Sequence, residues 1–385
     1  MAPHGFACNL STTDRRNPAI FGLADLPLLS GLQLFGGLVL LIAGAELLVR
    51  AAVRLAAHLK VRPLIIGLTV VALGSSAPQM AVSLQATLMQ NTDIAVGSVI
   101  GSNIFNILVT LGLSALIIPL RVSRQLVRLD IPVMIGASLL VFALAWNERL
   151  TPLDGTILLA ALVLYLGLLL RQSRHSVRPH STQTDEGKSR VPWLSSVLLM
   201  LAGLVLLVFA GHLLLSAAVE VATELGLSER IIGLTIIAVS TSLPELATSL
   251  IAALRGQRDI AVGNVVGSSL FNLLGVLGIT ALIAPTPLSV SPNALDFDLP
   301  VLLAVSVLCL PMFYSGYRIT RAEGLLFLAL YLAYGLHVVS FTTGMPLAGK
   351  LEHLMLFFVL PALMAFLLFT SLRAWRRQHH KRESP

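Results

Sequence analysis

The chain has 385 residues, 56% of them hydrophobic and only 12% charged; a soluble domain of this length needs far more polar surface, so the aqueous fold classes are excluded. The net charge of +7 would point to a nucleic-acid partner in a soluble chain, but here the basic residues sit between apolar runs, speak to membrane topology, and imply no nucleic-acid partner. Cys8 lies in the N-terminal arm and Cys309 in an apolar run, which excludes a disulfide framework and a Cys/His metal cluster.

In chain order, residues 1–30 form an N-terminal arm that lacks the basic start and apolar core of a cleaved signal peptide. Segments of about 20 apolar residues, enough to cross a hydrocarbon core of about 30 Å, fall at 31–57, 62–89, 94–119, 129–147 and 151–170. The polar, basic stretch 171–192 reads as a solvated linker. A second set follows at 193–218, 229–254, 259–284, 297–314 and 323–341, with an eleventh apolar segment at 352–372 and a basic tail inside the region 342–385. With the N-terminus outside and the C-terminus in the cytoplasm, 21 of the 26 Lys and Arg residues face inward, the asymmetry that the positive-inside rule favours.

Shifting the chain by 166 aligns Gly67–Pro119 with Gly233–Pro285 without a gap, and 28 of these 53 positions are identical. The match extends outward: Asp130-Ile131-Pro132 faces Asp298-Leu299-Pro300, and Asp154-Gly155 faces Glu323-Gly324. Residues 31–170 and 193–341 are therefore two five-helix units. Because five is odd, the second unit enters the bilayer from the opposite side. The predicted fold is an all-α membrane protein with a ten-helix core of two inverted repeats plus an eleventh C-terminal helix. Inverted repeats place a substrate site near the midplane, formed by interrupted helices.

The interruption is written twice, as GSSAPQ at Gly74–Gln79 and STSLPE at Ser240–Glu245. Proline removes a backbone donor and displaces a carbonyl one turn earlier, so the carbonyls of Ala72 and Ala238 are expected to lose their helical partners. Ser75 with Gln79, and Thr241 with Glu245, are i,i+4 pairs on one helix side. The next helix repeats that spacing with Ser102/Asn106 and Ser268/Asn272. All are hard oxygen donors, which suit Na⁺, K⁺, Ca²⁺ or Mg²⁺ rather than Zn²⁺ or Cu⁺. Glu245 stands out, because a charge at the bilayer centre costs at least about 2.5–3.5 kcal/mol. Other polar residues have plainer readings. Glu46 pairs with Arg50 one turn later, His212 is a packed polar residue, and Asp93 and Asp259 cap the helices they begin. With no HExxH pair or GxSxG elbow, the chain does not read as an enzyme.

The paired phrases GSSAPQMAVSL…DIAVGSVIGSNIFN and STSLPELATSL…DIAVGNVVGSSLFN closely resemble the two alpha-repeats of the sodium/calcium exchanger family within the calcium/cation antiporter superfamily. The resemblance runs from about residue 31 to 341. It implies a secondary active transporter working by alternating access, with Na⁺ and Ca²⁺ as transported ions and no resident cofactor. Carried over by position, it implies ion ligands at Ala72, Ser75, Gln79, Ser102, Asn106, Ala238, Thr241, Glu245, Ser268 and Asn272. It also implies a plasma membrane, bacterial inner membrane in particular. Members commonly have glutamate in both motifs and some have aspartate at the place of Asn272; here Gln79 and Asn272 are amides. A lone carboxylate also suits monovalent-cation or cation/proton exchange, and a membrane sensor with a vestigial site is a third reading.

Overall fold

The computed structural model describes residues 26–174, 193–224, 238–314, 316–342, 347–359 and 365. The first repeat comprises α1 (Leu26–Leu59), α2 (Pro63–Ser75), α3 (Ala77–Leu88), α4 (Thr92–Ile117), α5 (Leu126–Asn147) and α6 (Pro152–Arg174). The second comprises α7 (Trp193–Glu224), α8 (Ala238–Thr241), α9 (Leu243–Leu254), α10 (Arg258–Ile283), α11 (Ala294–Tyr314) and α12 (Arg321–Thr342), followed by α13 (Leu347–Leu354). Eight of these helices are long and apolar enough to cross a membrane, and the pair α2/α3, bent by 41°, makes a ninth. The counterpart expected at 229–254 is described only from Ala238. Most of the eleventh segment, 352–372, lies outside the described residues, as does most of the linker.

Four two-residue strands decide how the repeats are related. β1 (Leu120–Arg121) follows α4 and pairs antiparallel with β4 (Arg318–Ile319), which precedes α12. β2 (Arg149–Leu150) precedes α6 and pairs with β3 (Leu288–Ser289), which follows α10. The loop after the third span of one repeat thus meets the loop before the fifth span of the other, twice. Parallel repeats would put those loops on opposite membrane faces, so the pairing requires the inverted arrangement.

Helix contacts obey the same exchange. A methyl built on Gly324 of α12 would lie 2.7 Å from the carbonyl oxygen of Gly112 in α4, and one on Gly155 of α6 would lie 2.7 Å from that of Gly278 in α10. Such close backbone approach is how membrane helices gain dispersion energy without a hydrophobic drive. The atoms met are backbone and cannot swing aside. We expect Gly324→Ala to lower stability by about 1–3 kcal/mol, read as an earlier thermal unfolding midpoint in detergent.

The duplicated acids have structural tasks. Asp154 accepts from the Thr151 N–H and hydroxyl, both at 2.7 Å, and Glu323 accepts from the same groups of Thr320 at 2.7 and 2.9 Å. These are reciprocal caps at the starts of α6 and α12. Asp130 and Asp298 each accept from a tyrosine hydroxyl, Tyr165 and Tyr334, at 3.1 Å, joining the fourth span of each repeat to its fifth. Asp93 and Asp259 sit in the first turns of α4 and α10, where the helix dipole favours them, but the cap positions are Asn91 and Gln257 and carry no side-chain cap bond. Glu46 pairs with Arg50, as the spacing predicts, and also with Arg255, which ties α1 to the second repeat. His212 departs from its reading: it is exposed on the outer face of α7 rather than packed.

Candidate functional site

The broken spans place their polar phrases against the third span of the opposite repeat. Gln79, Ser102, Thr241 and Ala238 meet in one cluster. The Ser102 hydroxyl lies 2.9 Å from Gln79 Oε1, 3.4 Å from the Ala238 carbonyl oxygen and 3.4 Å from Thr241 Oγ1, while Thr241 donates to Ala238 at 3.1 Å. The exchanged set repeats the serine, carbonyl and hydroxyl part of this geometry. Ser268 Oγ lies 3.4 Å from the Ala72 carbonyl oxygen and 3.2 Å from Ser75 Oγ, and Ser75 Oγ lies 3.3 Å from the Ala72 carbonyl oxygen. All of these side chains are buried.

Glu245 is 1% exposed and reaches across to the first repeat, where Ser76 Oγ donates to its Oε1 at 3.3 Å. Its Oε2 has no hydrogen-bond partner among the described residues. Asn106 and Asn272 are fully buried, and neither the oxygen nor the nitrogen of either amide is hydrogen-bonded among the described residues. Both lie in π-helical turns, Asn106–Thr110 and Phe271–Val276, a widening often associated with functional positions. A buried polar group without a partner costs about 1–3 kcal/mol, more if charged, and Asn106 and Asn272, which are repeat mates, share this state with Glu245. Among the described residues no three His, Cys, Asp or Glu side chains cluster as a metal group. The donors gathered here are hydroxyls, carbonyls, amides and one carboxylate.

One expectation needs correction. The Ala72 carbonyl keeps a backbone donor, the Ser76 N–H at 3.0 Å. Pro78 sits in the first turn of α3 rather than inside a continuous helix, where an N–H has no intrahelical acceptor to lose. In the second repeat the expectation holds better. The Ser242 N–H turns to Val239 at 3.0 Å, and the Ala238 carbonyl is held by hydroxyls of Thr241 and Ser242, each at 3.1 Å.

The ten sequence candidates omit a surrounding ring. Gln79 Nε2 donates to Ser83 Oγ at 3.1 Å and Ser98 Oγ at 3.0 Å. Asn264, the counterpart of Ser98, donates to Ser249 Oγ at 2.9 Å and to the Glu245 carbonyl at 3.3 Å, and accepts from Ser75 at 3.1 Å. The signal was available: Ser83 and Ser249 are identical across the copies, and Ser98 and Asn264 lie one turn before Ser102 and Ser268.

Comparison with known proteins sets this geometry in a lineage. The sodium/calcium exchanger protein family matches residues 29–171 and 195–340, both repeats. The chain belongs to the sodium/calcium exchanger family. It is 38% identical over 304 residues to the putative antiporter CaxA of Alkalimonas amylolytica, covering 77% of this chain and 95% of that protein. It is 38% identical to the inner membrane protein YrbG of Escherichia coli, covering 73% and 87%. The sodium/calcium exchanger MaX1 of Methanosarcina acetivorans is 31% identical, covering 77% and 95%. The fold superposes on the sodium-calcium exchanger NCX_Mj soaked with 10 mM Na⁺ and zero Ca²⁺ with a TM-score of 0.68, at 32% identity, over 79% of this chain and 97% of that one. This family member is an integral membrane cation antiporter, not an enzyme.

Proposed function

We propose that the protein exchanges Na⁺ for Ca²⁺ by alternating access, at a bacterial inner membrane, with the N-terminus outside and the C-terminus in the cytoplasm. Ala72, Ser75, Gln79, Ser102, Asn106, Ala238, Thr241, Glu245, Ser268 and Asn272 supply the ion ligands. The observation that carries this reading is the buried Glu245 carboxylate, one oxygen of which has no partner among the described residues, beside two repeat-related clusters of hydroxyl and carbonyl oxygens. Hard oxygens in that number match the coordination habits of Na⁺ and Ca²⁺. The names of MaX1 and NCX_Mj as sodium/calcium exchangers support the same cargo, and that of YrbG supports the location.

A second reading, exchange of monovalent cations or protons, is favoured by Gln79, since one carboxylate neutralises one positive charge. Inverted membrane vesicles loaded with Na⁺ separate the two. Ca²⁺ uptake that follows the outward Na⁺ gradient is the expected result. Na⁺ or K⁺ flux indifferent to Ca²⁺ supports the second reading, and the absence of any flux supports a sensor.

A further inference from the structure

The Gln79 amide has two ends of opposite character, and only one suits a cation site. As placed, its nitrogen points to Ser83 and Ser98, and its oxygen points to Ser102 in the cluster with Thr241 and Ala238. Turning the amide over would aim two N–H groups at that cluster and repel any cation there. Ser83 and Ser102 do not by themselves choose between the two orientations, because a hydroxyl donates or accepts as required. Ser98 differs. Its hydroxyl hydrogen is committed to the Ala95 carbonyl oxygen at 3.1 Å, one turn back on α4. That leaves its lone pairs facing Gln79, so it receives an N–H and disfavours an oxygen.

Resting on the Na⁺/Ca²⁺ reading above, we propose that Ser98 is a positioning residue for ion selection: by holding the Gln79 nitrogen, it keeps the amide oxygen aimed into the cation site. The second repeat has no such need at Glu245, whose two oxygens are chemically alike. The third span of that repeat, α10, carries Asn264 at the equivalent place, bonded to Ser249, Ser75 and the Glu245 main chain rather than to the Glu245 carboxylate. The pairing of Ser98 with Gln79, and of Asn264 with Glu245, is thus a matched exchange: the residue that has a wrong way round is the one given an orienting hydroxyl.

The test is a double-mutant cycle on Ca²⁺ binding by the purified full chain, measured by calorimetry in Na⁺-free detergent. Losing one hydrogen bond that fixes the amide is expected to weaken Ca²⁺ binding roughly five- to tenfold in Ser98→Ala. In the Gln79→Glu background the same Ser98→Ala change is expected to alter binding less than twofold, since a carboxylate has no inverted state. A general loosening of α4 would act equally in both backgrounds. Equal losses in the two, or no loss beside Gln79, would overturn the inference while leaving the transport reading standing. Absence of Ca²⁺ binding by the unaltered protein would overturn the transport reading, and the inference with it.

Discussion

Glu245→Gln is expected to abolish Na⁺-driven Ca²⁺ uptake. The substitution keeps the length of the side chain, an oxygen for coordination and an acceptor for the Ser76 hydroxyl, so the contact of α9 with the turn between α2 and α3 is retained. What it removes is the one carboxylate gathered with the buried oxygens among the described residues. Two unit charges 4 Å apart at an effective dielectric of 20 interact by about 4 kcal/mol, which corresponds to roughly a thousandfold in affinity at 1.4 kcal/mol per decade. Initial uptake in inverted vesicles, normalised to protein in the membrane, should therefore fall by about two to three orders of magnitude. Uptake within tenfold of the unaltered protein would contradict the role given to Glu245.

Gln79→Glu works in the opposite direction. Bound beside Glu245 alone, Ca²⁺ leaves a net positive charge in a desolvated place, and a second carboxylate would neutralise it. The surroundings accept the change: Ser83 and Ser102 lie at 3.1 and 2.9 Å from the Gln79 side chain, and each hydroxyl is able to donate. Part of the gain is offset by repulsion between the two carboxylates when no ion is bound. We expect Ca²⁺ affinity to rise about tenfold or more by calorimetry; unchanged or weaker binding would contradict this electrostatic account.

The helices were legible because a hydrocarbon core demands long apolar runs. The segments expected at 94–119 and 259–284 became Thr92–Ile117 and Arg258–Ile283. The inversion was legible from arithmetic, five spans copied once. The fine wiring was not. A proline signals a break, yet whether it interrupts a helix or opens a new one depends on the neighbouring turn, and at Pro78 it opens one. The expected loss at Ala72 therefore did not occur. Ser98 and Asn264 give only a weak signal in the sequence, one turn before Ser102 and Ser268, because a single hydroxyl or amide in a membrane helix commonly bonds its neighbours without further meaning; their contacts to Gln79 and to the Glu245 main chain separate them from that background. His212 turns outward to an exposed position, whereas its repeat mate Glu46 faces arginines.

The crosswise ribbons restrict how such a molecule can move. β1 with β4 and β2 with β3 stitch each repeat to the other at opposite ends, and the glycine contacts of α12 on α4 and α6 on α10 add two seams between them. Swinging one intact half against the other would tear every stitch at once. The helices α1 and α7 carry none of the four strands and none of these glycine seams. Sliding that pair along the stitched block would leave the ribbons whole, with the Glu46–Arg255 pairing between α1 and the end of α9 as a tie that has to break.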